Sequence, residues 1–272
     1  IKKPMTQLQL EIARTVVLAV AFLRIVGVYI VARVRDVPEN QGLNLDRYMY
    51  RLVFTKLGRT KFISHLDLMR TMQRAFKRAK LPIWYTQGFN PRSYIMFSLA
   101  LPLGMESEIE TMDFALLEEI SFDDVKESLN AVLPLGMKIV SVSKPVFETI
   151  DIEKADYKLE ITTNKDVFET KDLFEEFLKL DEINIEKKVK ARRTRKAGTK
   201  LVNVKEYIEP LNIYVKDDCL AIELRLATSS GNRFNLNANA VLDSFCLLND
   251  IKITNYSAKR TRIICENGEN FS

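Results

Sequence analysis

From Tyr48 onward, two hydrophobic periods alternate in a fixed order, and that order constrains the fold more than any other feature. Tyr50-Arg51-Leu52-Val53-Phe54 is rich in strand formers and alternates in character. Ser64 with Asp67 three residues on has the form of a helix start, the serine oxygen facing orphan amides of the first turn. Leu68, Met72, Ala75, Phe76 and Ala79 then recur at i, i+4, i+7, i+8 and i+11, one apolar helix face that Pro82 closes. Residues 95–99 and 112–116 read as strands, 122–133 as a second helix ended by Pro134 and Gly136, and 137–142 as a fourth strand. The order βαββαβ is the split βαβ plan of a ferredoxin-like sandwich.

The second half repeats the plan loosely. Strand 157–163, helix 167–180 and strand 183–189 precede a basic run, and strand 220–226, helix 237–248 and strand 251–256, with a continuation through Ile264 left open, follow it. The expected class is therefore α+β: two tandem ferredoxin-like (βαββαβ) domains, 48–150 and 151–272, behind an N-terminal apolar extension, 1–47. That extension holds apolar runs at 16–23 and 25–32 split by Arg24, and residues 37–42 read as a linker. An arginine in mid-span opposes insertion, so membrane contact is expected only if residues 15–33 insert. Residues 1–47 are read as standing outside the functional unit.

Charge is concentrated. The chain has 41 Lys and Arg against 36 acidic residues, and the stretch 187–200 (KKVKARRTRKAGTK) carries eight bases and no acid. Setting those eight aside leaves 33 bases against 36 acids, so the whole basic excess lies in one loop. Its members Lys187, Lys188, Lys190, Arg192, Arg193, Arg195 and Lys196 are candidates for phosphate contact. Arg70, Arg74, Lys77 and Arg78, at i, i+4, i+7 and i+8, form a second basic stripe on the first helix. RNA is the expected polyanion.

Three widely spaced cysteines suggest neither a disulfide framework nor a zinc site, so no metal is expected, and a reducing cytoplasm is the natural compartment. His65 is the only histidine and the default general acid or base, the single catalytic candidate. Gln87, Gly88, Asn90, Pro91 and Arg92 form a turn rich in directional hydrogen-bonding groups, and with Asp67 they make the candidate pocket. Trp84, Tyr85 and Phe89 around it offer stacking faces.

The strings RTKFISHLDLMRTMQRAFKRAKLP, QGFNPRSYIMFSLALPLG and ESEIETMDFAL resemble a bacterial family of uncharacterised proteins fused to, or encoded beside, radical-SAM enzymes. The matching positions are His65, Asp67, Arg70, Gly88, Asn90 and Pro91; many relatives carry a basic or His-Pro step after Asn-Pro, where this chain has Arg92-Ser93. The resemblance implies a radical-SAM protein as partner. With no CxxxCxxC cluster in the chain, no cofactor is expected here. The expected role is an accessory RNA-binding module that presents RNA or a ribosomal substrate to that partner. The alternatives are an RNA-processing or RNA-modifying enzyme using His65, and a purely structural interaction module. The tandem plan is also similar to pseudouridine synthases and CRISPR ribonucleases, but Gly58-Arg59-Thr60 is followed by Lys61, where the synthase motif has Asp.

Overall fold

The computed structural model describes residues 47–87, 89–189, 198–230 and 234–271. Among them the fold is α+β, with a mostly antiparallel sheet and four helices. The first half comprises β1 (Tyr48–Lys56), α1 (His65–Arg78), β2 (Ile95–Phe97), β3 (Glu106–Leu116), α2 (Phe122–Asn130) and β4 (Met137–Ser143). The second comprises β5 (Ile152–Thr163), α3 (Val167–Phe177), β6 (Asn184–Val189), β7 (Gly198–Asn203), β8 (Ile208–Lys216), β9 (Cys219–Ala227), α4 (Ala238–Asn249) and β10 (Ile253–Cys265).

The main sheet runs β4-β1-β3-β10-β5-β9-β8, with β2 beside β3. All its pairs are antiparallel except a short parallel contact of β10 with β3, Lys259 opposite Glu106 and Arg260 opposite Ser107. Each half packs two helices on its strands. Leu68, Met72, Phe76, Val125 and Leu129 meet Leu52, Phe54, Met112 and Phe114 in one core. Phe174, Phe177, Val241 and Phe245 meet Tyr157, Leu159, Ile222 and Leu224 in the other. Burying a Leu- or Phe-sized side chain contributes about 1.5–3 kcal/mol, so helix docking, not propensity, holds these helices of 9–14 residues.

Strand alternation sends the remaining β5 side chains, Lys154, Asp156, Lys158 and Glu160, to the opposite face. There they meet partners on neighbouring strands, Lys154 with Glu209, Arg225 with Asp156, Lys158 with Glu223 and Lys216 with Glu160, and Lys259 of β10 pairs with Glu108 of β3.

The halves touch through buried charge. Arg260 lies two residues beyond core Ala258 and Glu110 two before core Met112, so both project toward the helices. Their ion pair spans 3.0 Å with both side chains almost fully enclosed. Arg260 also donates to the Ala100 carbonyl and stacks over Tyr157. Burial opposes its charge most strongly, but the Glu110 carboxylate and Tyr157 together outweigh it, so its pKa stands above the usual arginine value.

Several expected elements differ. Strand 112–116 extends back to Glu106, because Ser107 and Glu110 are buried at the junction although their neighbours are charged. The helices expected to reach residues 133 and 180 end at Asn130 and Phe177. Strand 183–189 does not join the main sheet but pairs with β7 in a two-stranded hairpin; most of the basic run lies between the two strands, outside the described residues. Strand β8 was not foreseen: Pro210 interrupts its pattern and is accommodated at a bulge on the sheet edge. The expected boundary near 150 falls in a single 3-10 turn, Thr149–Asp151, between β4 and β5. Residues 1–46, with their apolar runs, lie outside the described residues, and no described helix is long and apolar enough to cross a membrane.

Candidate functional site

The stretch leading into α1 is held from below. Buried Lys56 donates its ammonium to the carbonyls of Ile63 (3.0 Å) and Lys61 (3.4 Å). Burial lowers its pKa, and Glu110 partly counters that. From the other side Gly136, at φ +94°, presses against the same stretch: Leu57 donates its amide to the Gly136 carbonyl at 2.8 Å. A Cβ on Gly136 would stand 2.6 Å from the Leu57 oxygen, so only glycine allows this approach. These contacts fix where Ser64 and His65 emerge.

Ser64 then caps α1 as expected, its Oγ accepting from the Asp67 amide at 3.2 Å and donating to the Asp67 carboxylate at 2.8 Å. That carboxylate also accepts from Arg70 at 2.9 Å. The Ser64 hydroxyl, then Arg70, hold the Asp67 carboxyl below the usual carboxylate range. His65 is exposed, and its ring meets Phe97 edge-on at 5.2 Å. With Asp67 committed to the cap and Arg70, no carboxylate orients the imidazole among the described contacts, so the geometry assembles no acid–base pair there.

Arg70, Arg74, Lys77 and Arg78 are all exposed on α1, the outward face of a helix that buries Leu68, Met72, Ala75 and Phe76. The farthest member, Arg78, donates to the Val132 carbonyl at 2.8 Å.

The second signature stretch is a small closed loop. Thr86 donates its amide to the Arg92 carbonyl at 2.8 Å, Arg92 donates its amide to Thr86 Oγ1 at 3.0 Å, and Tyr85 bridges to Ser93. Trp84, below the loop, is buried against Tyr94, with the Arg47 guanidinium over both rings. Trp84 is therefore structural. Phe89 is not: it is fully exposed, and Gln87, Asn90 and Arg92 around it are exposed as well. Gly88 lies outside the described residues. Pro91 is half-buried. His65 sits against Phe97, the last residue of β2, and Asp67 is bonded to Ser64 and Arg70 of the α1 start. Among the described residues, three clefts of about 430, 570 and 430 Å³ are lined by none of the proposed pocket members.

Of the basic run, Lys187 and Lys200 are exposed and face each other directly across the β6–β7 hairpin. Like charges opposed on one ladder repel, and a bound anion relieves that. Lys187 also lies over the Phe234 ring, itself stacked on Tyr207 at 4.4 Å. Lys188 is on β6, its side chain outside the described set, while Lys190, Arg192, Arg193, Arg195 and Lys196 lie outside the described residues. Sequence reading passed over exposed Phe62, Leu66 and Leu103, because hydrophobic type predicts burial unless a helix wheel says otherwise. Leu66 sits between the apolar and basic stripes, the one signal available. Among the described residues no group of His, Cys, Asp and Glu could hold a metal ion.

No curated protein matches the sequence. Among solved structures, the chain is similar to one titled the crystal structure of a Cbf5-Nop10-Gar1 complex, at 11% identity and a TM-score of 0.40, covering 79% of this chain. The alignment spans only 48% of that other chain. A family model described as an uncharacterized protein conserved in bacteria matches residues 49–237, well over half of the 272, and the chain belongs to that family, DUF2344.

Proposed function

We propose that the chain is an accessory RNA-binding module that presents RNA or a ribosomal substrate to a radical-SAM partner in a reducing cytoplasm. The observation that carries the RNA part is Phe89. A large aromatic held fully in solvent, on a loop closed by its own hydrogen bonds and flanked by Gln87, Asn90 and Arg92, is arranged to stack on an unpaired base and to bond its edge. The cations of α1 and the opposed lysines of the hairpin supply the phosphate-binding charge. The radical-SAM partner rests on the resemblance of the signature strings, and the compartment on three free cysteines.

Each half is, in this reading, a ferredoxin-like unit. The orders β4-β1-β3-β2 and β10-β5-β9-β8 both follow the pattern fourth, first, third, second, and the β6–β7 hairpin is an insertion in the second unit.

The test is fluorescence anisotropy of a labelled single-stranded RNA over a salt series, with wild type, Phe89→Ala and a variant with the 187–200 bases changed to Gln. Binding weakened by both variants supports the reading. No binding at low salt, or binding indifferent to both, removes it. The partner is tested separately, by co-purification with a radical-SAM protein from the same cell; reproducible absence of one discards that half of the proposal.

A further inference from the structure

A cleft of about 570 Å³ opens between α4, the end of α3 and the β6–β7 hairpin. Its floor is sound core: Phe177 is buried and packs on Phe245 at 5.6 Å, with Ile183 and Ile185 buried beside them. Ser244 donates to the Asn184 carbonyl at 2.9 Å, tying α4 to the hairpin. The mouth, however, presents four leucines to solvent, Leu180, Leu201, Leu247 and Leu248. Single exposed leucines are ordinary, whereas four around one cleft mark a contact surface.

The rim decides the partner. Glu182, Glu186 and Asp243 line the cleft, and among the described residues no Lys or Arg does. α4 ends there with no basic residue in its last turn, so its unpaired carbonyls add partial negative charge. Glu186 stands opposite Leu201 on the hairpin, while the next residue, Lys187, points to the other side over Phe234. The described part of this rim repels a polyanion. An amphipathic helix with leucine-like anchors at i, i+3 or i+4, and i+7, flanked by lysine or arginine, matches both its shape and its sign. We infer that this cleft docks a basic amphipathic helix of a partner protein, independently of RNA contact elsewhere.

The probe is a fluorescein-labelled Leu/Lys peptide about four helical turns long, titrated with the full chain in anisotropy. Saturable binding is expected, weakened about tenfold or more by Leu247→Asp and by Leu201→Asp, each checked for native circular dichroism. Those changes add negative charge, so nonspecific attraction would strengthen instead. Reversing the rim (Glu182→Lys, Glu186→Lys, Asp243→Lys) is expected to transfer preference to the matching Leu/Glu peptide. Absence of binding, or binding unchanged by the leucine variants, overturns the inference. So does a wild-type dimer in sedimentation that Leu247→Asp dissociates, which would assign the cleft to a second copy.

Discussion

Glu110 compensates two buried cations, so its loss is expected to cost more than the loss of either. Arg260 pairs with it at 3.0 Å, and Lys56 feels its field from β1. All three are at most 2% exposed, so water cannot take over the solvation of a charge left behind. Replacing Glu110 by Leu strands both cations, and breaking a buried pair from one side costs about 3–5 kcal/mol. Arg260→Met leaves Glu110 still facing Lys56. It removes one charged hydrogen bond, the contact with the Ala100 carbonyl and the stacking on Tyr157, and also an Nε with no partner among the described residues. A loss of about 1.5–3 kcal/mol is expected for that variant. The double variant, Glu110→Leu with Arg260→Met, should be less destabilised than Glu110→Leu alone, since only Lys56 then lacks its anion, and its pKa is already lowered by burial. The assay is urea unfolding by circular dichroism, with melting as a check: each 1 kcal/mol moves the midpoint by about 2–4 °C at this size. Glu110→Leu within about 1 kcal/mol of wild type, or strict additivity in the double variant, would refute the reasoning.

Changing Arg70, Arg74, Lys77 and Arg78 to Gln should flatten the slope of log K against log salt for single-stranded RNA by about 0.7 per lost phosphate contact, about 3 in all. Phe89→Ala should cost about 1–3 kcal/mol in binding with the slope unchanged, because stacking releases no counterions. Asp67 has a lowered folded pKa, so its contribution is complete above the ordinary carboxylate range and disappears as pH falls through the folded value. Asp67→Asn should therefore match wild type in urea midpoint at about pH 2 and fall behind it by pH 7. Tyr256 runs the other way: burial, then Asp243, push its pKa up to about 12, so it favours the fold below the ordinary tyrosine value and ceases to as pH rises through about 12. Tyrosinate absorbance should show a titration near pH 12 that is lost in Tyr256→Phe. Asn130 donates to and accepts from the Ile139 backbone at 3.1 and 2.8 Å, closing the outer edge of β4. Asn130→Ala should cost about 1–3 kcal/mol and raise light scattering, since an unpaired edge invites self-association.

The first half was more legible than the second because its periodicities are clean and its breaks are proline and glycine. The Ser64 cap and α1 emerged almost to the residue, since capping is a local interaction between neighbours in sequence. The second strand of the hairpin, β7, escaped notice because pairing Lys187 with Lys200 is decided by tertiary context that propensity does not contain. Long β3 escaped for a related reason: Glu110 reads as a surface residue until Arg260, 150 positions away, is brought against it. At the site, residue type identified the Gln87–Arg92 turn as polar and aromatic, but only the fold separates Trp84, buried under Arg47, from Phe89, left in solvent. It also sets His65 against Phe97, a contact that no spacing along the chain reports.

The open face of the second half's sheet sharpens where a polyanion can bind. In folds that read single strands on a sheet, that face offers aromatic platforms and unneutralised cations. Here Lys154, Lys158, Lys216, Arg225 and Lys259 each have a carboxylate within 4 Å on the same face, so their charge is spent internally. Tyr214 is tied too, accepting from Lys158, whose pKa that bond raises. An RNA laid on this face would have to break ion pairs to gain phosphate contacts, exchanging one partner for another with little net gain. Apart from Arg70, which Asp67 already pairs, the cations of α1 (Arg74, Lys77, Arg78) and of the hairpin (Lys187, Lys200) carry no such ion pair among the described residues, one set in each half. The buried Arg260–Glu110 junction between the halves then has a functional consequence. By resisting relative motion it holds the α1 and hairpin cations in one register, so under the proposed RNA-binding function a strand contacting both would bind more tightly than either set accounts for.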